Sequence, residues 1–187
     1  MANPAGNGGE PRAGRPGAHV FVDETKNRDY LMAAAAVLPG DVVDARRQLR
    51  GLLLPGAERV HFTHERPSRR RELLNAMREL DVQVTLYVAR TRDHAAGRGS
   101  CMKAILDDVL KARAQMLVFE LDESVAQADR RTIADRFRHE ESPPLYRHLR
   151  AKEEPLLWIS DAVAWCAQRG GEWLGLCDPL LVGRREL

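Results

Sequence analysis

Asp161 is the one acid in an otherwise uncharged stretch, 155–168 (PLLWISDAVAWCAQ), whose composition favours a helix. Helical spacing sets Leu157, Trp158, Ala164 and Trp165 beside it on one face. An ionised carboxylate among tryptophans is costly unless something cationic pairs with it. Two further acidic points close apolar runs: Asp23 and Glu24 follow His19-Val-Phe-Val, and Glu120 and Asp122 follow Met116-Leu-Val-Phe. Three apolar elements that each deliver carboxylates at or near an end point to an acidic cluster that binds a divalent cation. Mg²⁺ or Mn²⁺ suits such oxygen ligands, keeps several waters and takes substrate phosphates into its shell. Asp23, Glu120 and Asp161 are the expected ligands. Neighbouring strand residues point to opposite faces, so only one of Asp23 and Glu24 reaches the centre; Asp23 is favoured, with Glu24 second.

Each of these residues also has a plainer reading. Asp23-Glu24 before a polar run is ordinary turn chemistry, and Glu120-Leu-Asp122-Glu123 could be the polar exit of a strand. Asp161 could be a structural acid bonded to backbone or to an arginine. Glu153 and Glu154 precede Pro155 at a helix start, where acids suit the dipole. Trp158, Trp165 and Trp173 could stack on bases, but aromatics at i and i+7 on an apolar helix are usually core. His61 and His64 form a His-x-x-His pair, yet Cys101, Cys166 and Cys177 offer no zinc spacing around it. Arg69, Arg70 and Arg71 fall in the first turn of an expected helix, where cations oppose the dipole by about a few tenths of a kcal/mol. That cost hints at substrate phosphates; a solvated helix end is the alternative. There is no GxSxG nucleophile elbow, and the glycines at 6–9 follow no strand that would make them a phosphate loop.

These residues must be held by regular elements. Residues 1–17, rich in Gly, Pro and Ala, lack the apolar surface to offset ordering and are expected to form a disordered tail, with one domain over 18–187. Strands are expected at 19–23 and 30–38, joined by a polar turn as a hairpin. Asp41 should cap a helix of about a dozen residues that ends at Pro55-Gly56. A second helix should start at a Ser68 cap and bury Leu73, Leu74, Met77 and Leu80. Residues 82–89 read as a strand, 100–113 as a helix, 116–121 as a strand covered on both faces, and 128–139 as a polar helix. A last strand at 145–149 precedes the helix that carries Asp161. This order predicts an α/β domain with a mixed central sheet of about five strands flanked by helices, its site at the strand ends.

Charge names no partner by itself. The 29 basic and 27 acidic residues leave +2, so any nucleic-acid footprint must be local. Three cysteines without CxxC spacing fit a reducing cytoplasm. No apolar run approaches the roughly 18 residues of a membrane span, so no membrane association is expected.

Several motifs together resemble a known family. They are Val-Asp23-Glu24-Thr, His61-Phe62, Arg69-Arg70-Arg71-Glu-Leu-Leu, Leu-Val-Phe-Glu120 and Glu153-Glu154-Pro-Leu-Leu-Trp-Ile-Ser-Asp161-Ala-Val-Ala-Trp. Over roughly residues 19–175 the chain is similar to the bacterial proteins grouped as domain of unknown function 3800, which look like members of the ribonuclease H-like superfamily. The resemblance implies a ribonuclease H-like sheet whose acids bind divalent metal. By position, Asp23 would be the first-strand acid, Glu120 the acid of the neighbouring central strand and Asp161 the acid of the last helix. Thr25 stands where the family usually has Ser, and the hydroxyl is kept. By its place in the His-Phe motif, the resemblance implies that His61 would be a substrate-contacting or proton-transfer group. No helix-borne Glu matches the additional acid of true ribonuclease H. Two functions follow as expectations: a metal-dependent phosphodiester hydrolase acting on nucleic acid, or a catalytically silent module of the same fold that binds a protein or nucleic-acid partner.

Overall fold

The computed structural model describes residues 15–26 and 29–187. Most of the stretch expected to be a tail, 1–14, lies outside the described residues. Its end does not: Gly17 N–H donates to Arg113 O at 3.2 Å, and Arg15 pairs with Asp81.

The described residues form six strands in one sheet: β1 (His19–Lys26), β2 (Tyr30–Val37), β3 (Val82–Ala89), β4 (Met116–Glu120), β5 (Leu145–Leu149) and β6 (Leu181–Glu186). Their order across the sheet is β5-β4-β1-β2-β3-β6. β1, β2 and β3 make an antiparallel meander, β4 and β5 lie parallel to β1, and β6 lies parallel to β3. The helices are α1 (Val42–Arg50), α2 (Pro67–Arg78), α3 (His94–Lys111), α4 (Ala126–Phe137), α5 (Leu157–Arg169) and α6 (Gly171–Cys177), with 3-10 turns at Phe62–His64 and Asp178–Leu180.

Alternation along the strands divides the core in two. Phe21, Ala33, Ala35, Val84, Leu86 and Val118 meet α1, α2 and α5 on one face. Val20, Val22, Met32, Ala34, Tyr87 and Phe119 meet α3 and α4 on the other. β2 (YLMAAAAV) is buried along its whole length. Its alanines are poor strand formers; here they let helices approach both faces, so packing overrides propensity. The closest approach is at Gly97 of α3, where an added Cβ would lie 2.5 Å from Tyr30 Cβ.

Several sequence-based boundaries move. β1 continues to Lys26, so Asp23 and Glu24 are paired strand residues opposite Ala33 and Met32, not turn residues. α2 starts at Pro67, with its rigid φ at the first helical position; Arg66, not Ser68, is the N-cap, and it makes no side-chain capping bond. α3 starts at His94, because Asp93 accepts from the Ala95 and Ala96 N–H groups at 3.0 Å and so outweighs Gly97 and Gly99. α1 stops at Arg50. The sixth strand was not expected: its Gly-Arg-Arg run carries little strand signal, and its alternately half-buried and exposed residues are held by pairing to β3.

Candidate active site

β1 and β4 run side by side and in parallel, with Phe21 opposite Val118 and Val22 opposite Phe119. The next positions along this register, Asp23 and Glu120, share the face on which Phe21 and Val118 meet α5. Helix α5 is pinned to that face by Ser160, whose buried hydroxyl donates to Phe21 O at 2.8 Å, and by Trp158 Nε1, which donates to Ala151 O at 2.6 Å. Asp161, one residue past Ser160, thereby comes near the strand ends. Its Oδ2 accepts the Phe62 N–H at 3.3 Å.

The three carboxyl groups feel one another. Asp23, only 8 % exposed, is held well above the usual carboxylate range, first by burial, then by the charges of Glu120 and Asp161 and by a hydrogen bond to the Glu120 carboxyl. The Asp161 carboxyl is pushed up to about 6, again chiefly by burial; the Phe62 N–H opposes the rise and the Glu120 charge adds to it. Among the described residues, no three His, Cys, Asp or Glu side chains stand gathered as a ready ligand set. The donor chemistry nonetheless fits a hard divalent cation: all three groups are carboxyls, and their burial and mutual repulsion raise the proton affinity of Asp23 and Asp161 where a cation could supply the opposing charge.

A loop covers the cluster. Arg59 Nη1 lies 3.2 Å from Glu120 Oε1. His61 and His64 stack at 4.0 Å between ring centroids, 10° from parallel. Burial, Arg59 and His64 hold the His61 imidazole below its ordinary pKa, and its buried Nδ1 has no hydrogen-bond partner among the described residues. Arg70 of α2 fixes this loop. It donates to Phe62 O at 2.9 Å and Thr63 O at 2.6 Å, with its guanidinium 4.2 Å from the Trp165 ring centroid. Arg69, Arg70 and Arg71, expected either to face substrate phosphates or to form a solvated helix end, all have protein partners. Arg69 reaches Leu52 O and Glu72, and Arg71 reaches Glu172 at 2.8 Å in an exposed pair.

Glu24 faces the other side of the sheet. It pairs there with Arg98 and, at 2.8 Å, with Lys26. Arg98 is 7 % exposed and also holds Asp129 through bonds of 2.8 and 2.6 Å and the Tyr30 hydroxyl at 2.8 Å; His148 Nε2 lies 3.3 Å from the same Asp129. Asp122 turns to Lys26 at 3.3 Å and to the Ser124 N–H at 3.0 Å. Between these groups and Asp23 and Glu120, a cleft of about 320 Å³ opens over the ends of β1 and β4. Arg59, Arg98, Asp129 and His148 were not found from sequence. Arg98 sits between glycines that read as a loop, Arg59 in a stretch without periodicity, and Asp129 among ordinary helix charges.

No protein-family model and no curated protein matches the chain. Solved structures do. The structure of the PCNA:RNase HII complex from Archaeoglobus fulgidus matches over 81% of this chain and 72% of that one, at 11% identity and a TM-score of 0.52. Bst-RNase HIII in complex with Mn2+ matches over 81% of this chain and 51% of that one, at 12% identity and a TM-score of 0.47. The chain thus spans about half the length of Bst-RNase HIII. At such identities the first likeness speaks for the fold alone: the mixed six-stranded sheet with its flanking helices is a ribonuclease H-like α/β fold.

Proposed function

We propose that the protein is a divalent-metal-dependent phosphodiester hydrolase acting on nucleic acid. The observation that carries this reading is the electrostatic coupling of three carboxyls from three elements, Asp23 and Glu120 on the adjacent parallel strands β1 and β4 and Asp161 on α5. The resemblance of the Asp23-Glu24, His61-Phe62 and Glu153–Asp161 motifs to domain of unknown function 3800 supports it, as does the ribonuclease H-like fold.

In this reading Asp23, Glu120 and Asp161 hold Mg²⁺ or Mn²⁺, which would supply an activated water and charge stabilisation for in-line displacement at phosphorus. Asp23, whose proton affinity is raised chiefly by burial, would have to be ionised to serve as a ligand. His61, neutral near pH 7 because its proton affinity is lowered, can accept or return a proton beside Glu120. Glu24 acts indirectly, fixing the end of β1 through Arg98. Of the three helix arginines, Arg71 is the one that is itself exposed, so its carboxylate partner can be exchanged for a phosphate.

A second reading, a silent module that binds a protein or nucleic-acid partner, draws on one fact: the three acids are not gathered as a ligand set. The test is direct. Purified protein is incubated with single- and double-stranded DNA and RNA in Mg²⁺, Mn²⁺ or chelator, beside Asp161→Asn. Cleavage that needs the cation and vanishes in the variant supports the hydrolase. Binding without cleavage under every condition assigns the module.

A further inference from the structure

A cluster of three carboxyls needs a positive charge near it, and this chain carries one of its own. Arg59 faces the cluster through Glu120 at 3.2 Å, and its charge favours the ionised forms of both Asp23 and Asp161. The other arginines and the lysine nearby are engaged elsewhere, while His64 adds to the field at Asp161. Arg70 is bound to the Phe62 and Thr63 carbonyls, Arg98 lies on the opposite face with Glu24 and Asp129, and Lys26 pairs with Glu24 and Asp122. His61 gives up its proton readily and supplies no steady charge; a guanidinium keeps its own at any physiological pH.

The attachment of Arg59 is that of a movable group. Its neighbour Val60 is buried and Phe62 wholly so, which fixes the backbone, while the Arg59 side chain remains 40% exposed. It meets Glu120 through a single N–H···O contact, without the bidentate fork that makes arginine–carboxylate pairs strong. A rotamer change would carry the guanidinium into solvent with no change in the fold.

We propose that Arg59 is the internal counter-cation of the carboxylate cluster, seated on Glu120 while the cluster is free of metal and displaced when a divalent cation takes its place. The inference rests on the metal-binding reading above. A doubly charged ion among the same carboxylates repels the guanidinium and satisfies Glu120 better than one hydrogen bond does. Arg59 is therefore a competitor for the site, a positioning residue and not a ligand. Once expelled, it stands beside the carboxyl cluster with its charge unpaired, where an anionic phosphodiester oxygen is its natural partner.

Competition has a signature that needs no turnover. Mn²⁺ is titrated into the metal-stripped full chain and followed by the loss of free-ion electron paramagnetic resonance signal, for the wild type, Arg59→Ala and Arg59→Lys, with thermal melts confirming that each is folded. Arg59→Ala should bind Mn²⁺ roughly three- to tenfold more tightly, since removing one screened charge at this range changes binding by about that factor. Arg59→Lys should stay near the wild type because it keeps the charge. Equal or weaker binding by folded Arg59→Ala overturns the inference and leaves the metal site standing. A wild type that binds no Mn²⁺ at millimolar concentration sinks the metal site, and the inference with it.

Discussion

A carboxyl that is buried beside other carboxyls keeps its proton, and Asp161 does so up to about pH 6. The folded chain then binds more protons than the unfolded chain, whose aspartates titrate near 4, so this group's contribution is full below about pH 4 and is lost as pH rises through about 6. Asp23, its carboxyl also raised chiefly by burial, acts in the same sense. In chelator, the melting temperature of the wild type should carry a falling component between pH 4 and 6 that Asp161→Asn lacks. Melts of both proteins across that range check this, and parallel curves would refute it. Above pH 6 the variant should be the more stable, because Asp161 has a backbone N–H partner and no buried arginine that its loss would strand. Asp23, Glu120 and Asp161 stand out in the sequence because each lies within or at the end of an apolar element, Asp161 with no second acid beside it. Arg59 and Arg98 do not: an arginine acquires its role from which carboxylates the fold brings to it, and local spacing holds no trace of that.

At the level of elements, two close approaches carry the framework of the site. Gly97 lets α3 lie against Tyr30 at the start of β2. Gly97→Ala would gain about 1 kcal/mol of helix propensity in isolation, but its Cβ overlaps Tyr30, and overpacking of this kind typically costs about 1–3 kcal/mol. A lowered urea midpoint is expected; a raised one would mean that the helix can shift. The second is the ion network one residue along. Arg98→Met leaves the buried Asp129 without its guanidinium and Glu24 with Lys26 alone, and should cost about 3–5 kcal/mol, whereas Arg138→Ala, at an exposed i,i+3 pair with Asp135, should cost at most about 1 kcal/mol. Urea denaturation of the two variants separates a buried network from a solvated one. Most elements were legible from their apolar period. The misplaced start of α3 and the missed β6 share a cause: in one, a capping side chain outweighs glycine, and in the other, strand pairing outweighs composition.

Across the whole molecule, β-β-α-α-β-α-β-α-β was readable in order, and with it the pairing of the strands that carry Asp23 and Glu120. A ligand that binds only the folded state stabilises it by mass action. Millimolar Mg²⁺ or Mn²⁺ should therefore raise the melting temperature, more at pH 8 than at pH 5, because at pH 5 the cation must displace protons from Asp23 and Asp161. A calorimetric scan with and without cation tests this, and an unchanged transition at pH 8 would speak for the silent module. The sheet also dictates a sequence of assembly. β1 pairs with β2, its neighbour in the chain, whereas β6 reaches β3 across about 90 residues that separate Ala89 from Leu181, and β4 reaches β1 across a similar span, so the closure entropy of these two pairings falls due only after the loops between are folded. β6 lies at the sheet edge, joined by strand pairing on one side only. The amides of β6 should then exchange with deuterium through a local opening, at lower free energy than those of β1 and β2, which exchange only when the whole sheet unfolds. The carboxylate-bearing strands thus sit in the part of the molecule that opens last, and the edge beyond β3 can fray without disturbing them.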